Sequence, residues 1–154
     1  METPAQTYGT ADMTMEIPDD PRFKRAVSAL EQGRFQDSFS IARQLAGEGD
    51  AMGMHFLGWH YHKGIGIEQD DGAAVTWWQR AAHLGCANAV KGLGWACETG
   101  RGLERDTQAA YHHYLHAIML GDDSAREALF ELALQMLPED IKRAEAQAEA
   151  STEV

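Results

Sequence analysis

The chain has 154 residues, a net charge of −11, 44% hydrophobic and 24% charged residues. That is the balance of one ordinary globular domain. The acidity argues against nucleic acid, which asks for a basic stripe, and no apolar run approaches the 18 residues of a membrane span.

The first residues, METPAQTYGTADMTMEIPDD, hold five acids and no Lys or Arg. They carry neither the basic flank nor the apolar stretch of a secretory signal. The expectation is an acidic disordered tail over 1–20 on a cytoplasmic protein. Folding is expected to begin at Pro21, a good first helical residue. "PRFKRAVSALEQG" and "FQDSFSIARQLAGEG" read as a helix pair over 21–48, with Phe35, Phe39, Ala42 and Leu45 at helical spacing.

Residues 63–70, KGIGIEQD, raise the question of a phosphate loop. A phosphate loop needs Gly-Lys-Ser/Thr at a helix start or three glycines after a strand, and neither is present. Instead the loop recurs: Gly64, Gly66 and Asp70 return as Gly100, Gly102 and Asp106, each 36 residues on. So do Gly49, Gly85 and Gly121, Leu57, Leu93 and Leu129, Gly58 and Gly94, and Trp59 and Trp95. Ala74 and Ala81 return as Ala110 and Ala117, and Trp78 is replaced by Tyr114. A fixed period of this size marks stacked repeats, in which each unit buries its apolar face on the next. The glycines are then structural, letting a helix end in a left-handed turn.

The array divides into full repeats at 49–84 and 85–120 and a degenerate capping repeat at 121–150, which has lost both loop glycines, followed by a tail at 151–154. In the full repeats helix A is expected at about 50–62 and 86–98, and helix B at about 71–83 and 107–119, with Asp70 and Asp106 as caps. Pro138 breaks the chain before a last polar helix.

Cys86 and Cys97 fall on one expected helix, where eleven residues separate them by roughly 16 Å. Disulfide Cα atoms lie within about 7 Å, so the two do not pair, which fits a reducing compartment. His112 and His116 have ligand spacing on one helix face, but two ligands do not make a metal site. His55 is expected to be packed, and His60 and His62 to lie at the surface. No nucleophile–base pattern and no cofactor signature stands out, and the carboxylate pairs at helix starts read as caps.

The string "GDAMGMHFLGWHYHKGIGIEQDDGAAVTWWQRAAHLG" resembles a Sel-one-like repeat (SLR), a branch of the TPR-like helical repeats. The match rests on Gly-Asp-Ala at 49–51, Leu57-Gly58, Tyr61, Gly64-x-Gly66, Asp70, Ala74, Trp77-Trp78, Ala81-Ala82 and Leu84-Gly85. It continues at Leu93-Gly94, Gly100-x-Gly102, Asp106, Ala110, Tyr114 and Ala117. The resemblance implies an all-α, right-handed α-solenoid of stacked antiparallel helix pairs that binds other proteins as a bacterial adaptor or scaffold. It implies no shared catalytic residues.

In such a solenoid helix A lines the concave surface. If Ala51, Leu57 and Tyr61 take the core, Met52, Phe56, Trp59 and His60 point away, joined in the next unit by Asn88, Gly92 and Trp95. That column is the expected partner-binding face, with Gly92 as a pocket floor; the competing placement buries both tryptophans against neighbouring helices. Two functions fit: a non-enzymatic protein–protein adaptor, or an immunity-type inhibitor whose acidic surface neutralises a basic toxin. No nucleic acid, membrane or cofactor is implied, and the open solenoid ends allow a homo-oligomer.

Overall fold

The structure, a computed structural model, describes residues 17–152. The expected tail falls mostly on residues 1–16, outside the described part. Eight helices follow in order: α1 Pro21–Glu31, α2 Phe35–Gly47, α3 Ala51–Lys63, α4 Asp71–His83, α5 Ala87–Thr99, α6 Thr107–Met119, α7 Ala125–Ala133 and α8 Pro138–Thr152. Among the described residues there is no strand. Consecutive helices pack together from α1 to α7, and α8 folds back on α6. No helix among the described residues is long and apolar enough to cross a membrane.

The sequence signals for the helix ends work as local chemistry. Asp20 starts α1: its carboxylate accepts from the Arg22 backbone N–H at 2.9 Å and pairs with the Arg22 guanidinium. Residues 17–20 are therefore part of the described structure, ahead of the expected start. Asp50, Asp70 and Asp106 accept from the backbone N–H three residues on, at 2.7, 2.9 and 2.9 Å. The position of Asp50 recurs as Cys86 and Asp122. Cys86 makes no such cap to α5; it is buried, with Sγ 3.5 Å from the Met52 sulfur. At the other end α8 continues through Thr152, two residues into the expected tail.

The paired glycines have a stacking role that the phosphate-loop question obscures. A Cβ at Gly66 would sit 2.5 Å from the Phe35 carbonyl oxygen, and one at Gly102 2.5 Å from the Asp71 carbonyl oxygen. Both have φ near +75 to +80 (75 and 80). Each loop therefore lays its backbone on the first turn of the B helix of the preceding pair, where only glycine fits.

Three apolar clusters run along the chain. Phe23, Leu30, Leu45, Phe56 and Leu57 form the first; Ala74, Val75, Trp78, Ala89 and Leu93 the second; Val90, Tyr111, Tyr114, Ala125 and Leu132 the third. Half-buried Met52, Met54 and Tyr61 belong to the first and second clusters alike, and Leu103 to the second and third. The core is thus continuous from unit to unit, as a repeat array requires.

Gly102→Ala combines a left-handed backbone with a clash against a carbonyl oxygen, and is expected to cost ~1–3 kcal/mol. Gly85→Ala meets nothing within 4 Å at φ +84 and should cost only the backbone strain, ~1 kcal/mol. Urea unfolding of both variants tests this; equal losses would show that the loop contact does not matter.

Candidate functional site

The A helices α3, α5 and α7 lie side by side and enclose a cavity of about 480 Å³. Its floor is aromatic. Trp78 of α4 reaches between α3 and α5, donating its indole N–H to the His55 carbonyl at 3.3 Å. The space for that ring comes from Gly58 and Gly92, where a Cβ would stand 2.6 and 2.9 Å from it. Tyr114 replaces Trp78 one repeat later; its hydroxyl donates to Glu98 at 2.6 Å, and burial with that carboxylate raises its pKa far above the phenol range.

The α3 and α5 walls are aromatic with cationic tips. Trp95 packs edge-on to Trp78 at 6.4 Å and against His62 at 4.3 Å, with the Arg101 guanidinium 5.3 Å from its centre. Asp71 fixes both neighbours: His62 Nδ1 lies 3.0 Å from one oxygen and Arg101 Nε 2.9 Å from the other. Lys91 donates to the Ser124 hydroxyl at 2.7 Å and lies 3.9 Å from Asp122; burial lowers its pKa against the pull of that carboxylate. The α7 wall is acidic, with Glu127 and Glu131 on either side of Ala128.

The structure divides the expected binding column. Trp59, Asn88, Gly92 and Trp95 do line the cavity. Phe56 and His60 do not: they are 1% and 0% exposed, inside the cluster between α1, α2 and α3. Phe56 packs on Phe23 and stacks on Trp59. Met52 is half-buried against Cys86 and the core. The expectation failed because it gave α3 one buried face. An interior solenoid helix is covered on two sides, by α2 and by α4 with α5, so Phe56 through His60 are all buried.

His60 is a corrected placement in its own right. Its Nδ1 is 2.7 Å from the Ile65 carbonyl and its Nε2 3.0 Å from the Ser38 hydroxyl. A carbonyl only accepts, so Nδ1 carries the proton and Nε2 accepts from Ser38. The ring ties the glycine loop to α2. Of the other histidines, His62 is half-buried and paired, while His55, expected to be packed, borders the cavity with its Nδ1 enclosed and unpartnered. His112 and His116 stand with ring centres 6.4 Å apart. Among the described residues no group of three metal-ligating side chains gathers.

The residues missed by the column were legible at the same period. His55, Lys91 and Glu127 are 36 apart, as are Trp59, Trp95 and Glu131, and Phe56, Gly92 and Ala128. The column stopped at the second unit because the third lacks the loop glycines, yet α7 keeps its place beside α5.

Burial pushes the His60 pKa down to about 4, only partly offset by the Ile65 carbonyl. The folded ring stays neutral while the unfolded one, at about 6.5, takes up a proton. The stabilisation from neutral His60 is therefore full above pH 6.5 and is lost as pH falls towards 4, at ~1.4 kcal/mol per pH unit. His55, which burial also pushes down to about 4, adds a slope of the same sign. In urea unfolding at pH 7, 6 and 5, His60→Gln should therefore remove about half of the combined slope while lowering stability at pH 7; an unchanged slope would place its source elsewhere.

Residues 51–86 and 87–122 each match the family described as Sel1 repeat. No curated protein matches the chain. Similar solved structures include a protective antigen of uropathogenic Escherichia coli displaying an SLR fold, with TM-score 0.73 at 20% identity over 94% of this chain and 31% of that one. A Sel1 repeat protein from Oxalobacter formigenes gives TM-score 0.69 at 22% identity over 92% of this chain and 57% of that one. Helicobacter pylori cysteine rich protein B gives 0.57 at 20% identity over 71% and 92%. The chain thus spans about a third and somewhat over half of the first two, and at these identities the likeness speaks for the fold. The repeat matches, the helix-pair stacking and the glycine loops in register make residues 51–122 two Sel1 repeats, and the helices on either side continue the same solenoid.

Proposed function

We infer that the chain is a non-enzymatic adaptor or scaffold that docks a protein partner in the groove of its A helices α3, α5 and α7. The observation that carries this reading is the cavity itself: a concave, tryptophan-lined site of about 480 Å³ on the face shared by three units. Tryptophan is enriched at binding hot spots, where a fixed aromatic surface is enclosed by a polar rim. Here Lys63, Lys91, Glu127 and Glu131 supply the rim. The pKa values of His55, His60 and Tyr114 are strongly displaced, and each owes this first to burial. His60 lies outside the cavity, and the Tyr114 hydroxyl is already held by Glu98. The free cysteines Cys86 and Cys97 are both buried, which supports a location in the reducing cytoplasm.

Ala128 is half-buried and lines the cavity between Glu127 and Glu131 on α7. Ala128→Arg fills the cavity without removing any core side chain. Affinity capture from a lysate of the native host, with wild type and variant side by side, is expected to lose its prey in the variant at unchanged circular dichroism. A prey held equally by both would move the docking face elsewhere. Salt separates an adaptor from an inhibitor of a basic toxin: apolar docking tolerates it, whereas an electrostatic decoy loses on-rate steeply above a Debye length of about 10 Å at 0.1 M.

A further inference from the structure

The cavity carries an unbalanced set of polar groups. On the α3 and α5 side the polar groups are already engaged: His62 by Asp71, and Lys91 by Ser124 and Asp122. On its acidic side they are not. Among the described residues the Glu127 and Glu131 carboxylates accept no hydrogen bond and join no ion pair. They stand four residues apart on α7, one turn of helix, so they project from the same face.

The aromatic wall holds a second, independent vacancy in the bonding. Trp59 is 6% exposed, yet its indole N–H has no acceptor among the described residues, and His55 Nδ1 beside it has no partner either. A buried donor without an acceptor costs ~1–3 kcal/mol. Its neighbours explain the position of the ring but not the idle N–H: Trp59 stacks on Phe56 and meets His60 edge-on. Trp78, by contrast, donates its own indole N–H to a carbonyl. An acceptor reaching the Trp59 wall, with a small shift of the ring, would recover what the free protein forgoes.

We propose that the cavity takes an arginine or lysine side chain from an extended segment of the partner, the cation meeting Glu127 and Glu131 and a backbone carbonyl of the same segment accepting from Trp59. The proposal rests on the groove being the docking face. Charge complementarity selects the basic residue: the two unengaged charges in the cavity wall are both negative, and they line the same cavity as the indole of Trp95. A cation between carboxylates and an aromatic face gains from both. The extended backbone supplies the carbonyl, and the volume lies within the range of sites that enclose a small ligand, enough for one side chain and its flanking peptide units.

Blocked pentapeptides Ac-Ala-Ala-X-Ala-Ala-NH2, with X as Arg, Lys or Glu, test this against the full chain labelled with nitrogen-15. The Arg and Lys peptides are expected to shift the indole N–H resonances of Trp59 and Trp95 in a saturable way, and the Glu peptide to leave them in place. The Glu127→Gln/Glu131→Gln variant, altered only at exposed positions, should weaken the Arg peptide at least tenfold. Equal binding of the Glu peptide, or an unweakened double variant, overturns the basic anchor. If the Arg and Lys peptides leave both indoles unmoved while Ala128→Arg still abolishes partner capture, the groove stands and the anchor is wrong. If Ala128→Arg leaves capture intact, the groove itself is not the docking face, and the proposal falls with it.

Discussion

The close approach of each glycine loop to the helix before it sets the geometry of everything else. Gly66 lies on the start of α2 and Gly102 on the start of α4, at distances that exclude a Cβ. That contact fixes how far each helix pair sits from its predecessor, and so how far apart α3 and α5 stand. Their separation in turn decides whether a ring from the B layer can pass between them. Trp78 does, in the space left by Gly58 and Gly92. An aromatic floor under the A-helix groove is thus a consequence of backbone contacts made at the far ends of the helices.

The repeat also shows how one scaffold position is put to different uses. At the start of successive A helices the chain has Asp50, Cys86 and Asp122. Asp50 caps its helix. Cys86 gives up the cap and joins Met52 in the core. Asp122 bonds the Ser124 hydroxyl and backbone N–H and lies near Lys91. A cap contributes ~1 kcal/mol, and burying a small apolar side chain contributes a similar amount, so α5 exchanges one stabilising contact for another at little net cost. His60 is a further local solution: it links the first glycine loop to α2 through Ser38, where the next unit has Ala96 and no such link.

Much of this was legible in the sequence. The 36-residue period located the helices, the caps and the loops, because those features depend on residues that only a few side chains can replace: Asp at a cap, Gly at a left-handed turn. The site was half legible. Periodicity places a residue on a helix, but it does not count how many neighbours the helix has. Phe56 and His60 were read as outward because a surface helix hides one stripe; α3 hides two. The polar character of His60 added to the error, since its two partners, Ser38 and Ile65, lie 22 residues before and five after it. Glu127 and Glu131 were missed for the opposite reason. The loss of the loop glycines hid a register that α7 still keeps.

That third unit gives the groove its polarity. In the column where α3 has His55 and α5 has Lys91, α7 has Glu127; where they have Trp59 and Trp95, it has Glu131. The A-helix face therefore changes along the array from His55 and Trp59, with His55 held neutral by burial, through Lys91 and Trp95, to two carboxylates within three helices. A terminal unit needs a wetter outer face to stop the stacking, and carboxylates meet that need. Here they also turn towards the cavity, where the capping requirement alone does not call for them. In the docking proposed for this groove, the tryptophans supply area and shape, which tolerate sequence, and the carboxylates of α7 set the direction in which a chain lies. A groove that is apolar at one end and charged at the other distinguishes the two orientations of a bound segment, and a uniform tryptophan column could not.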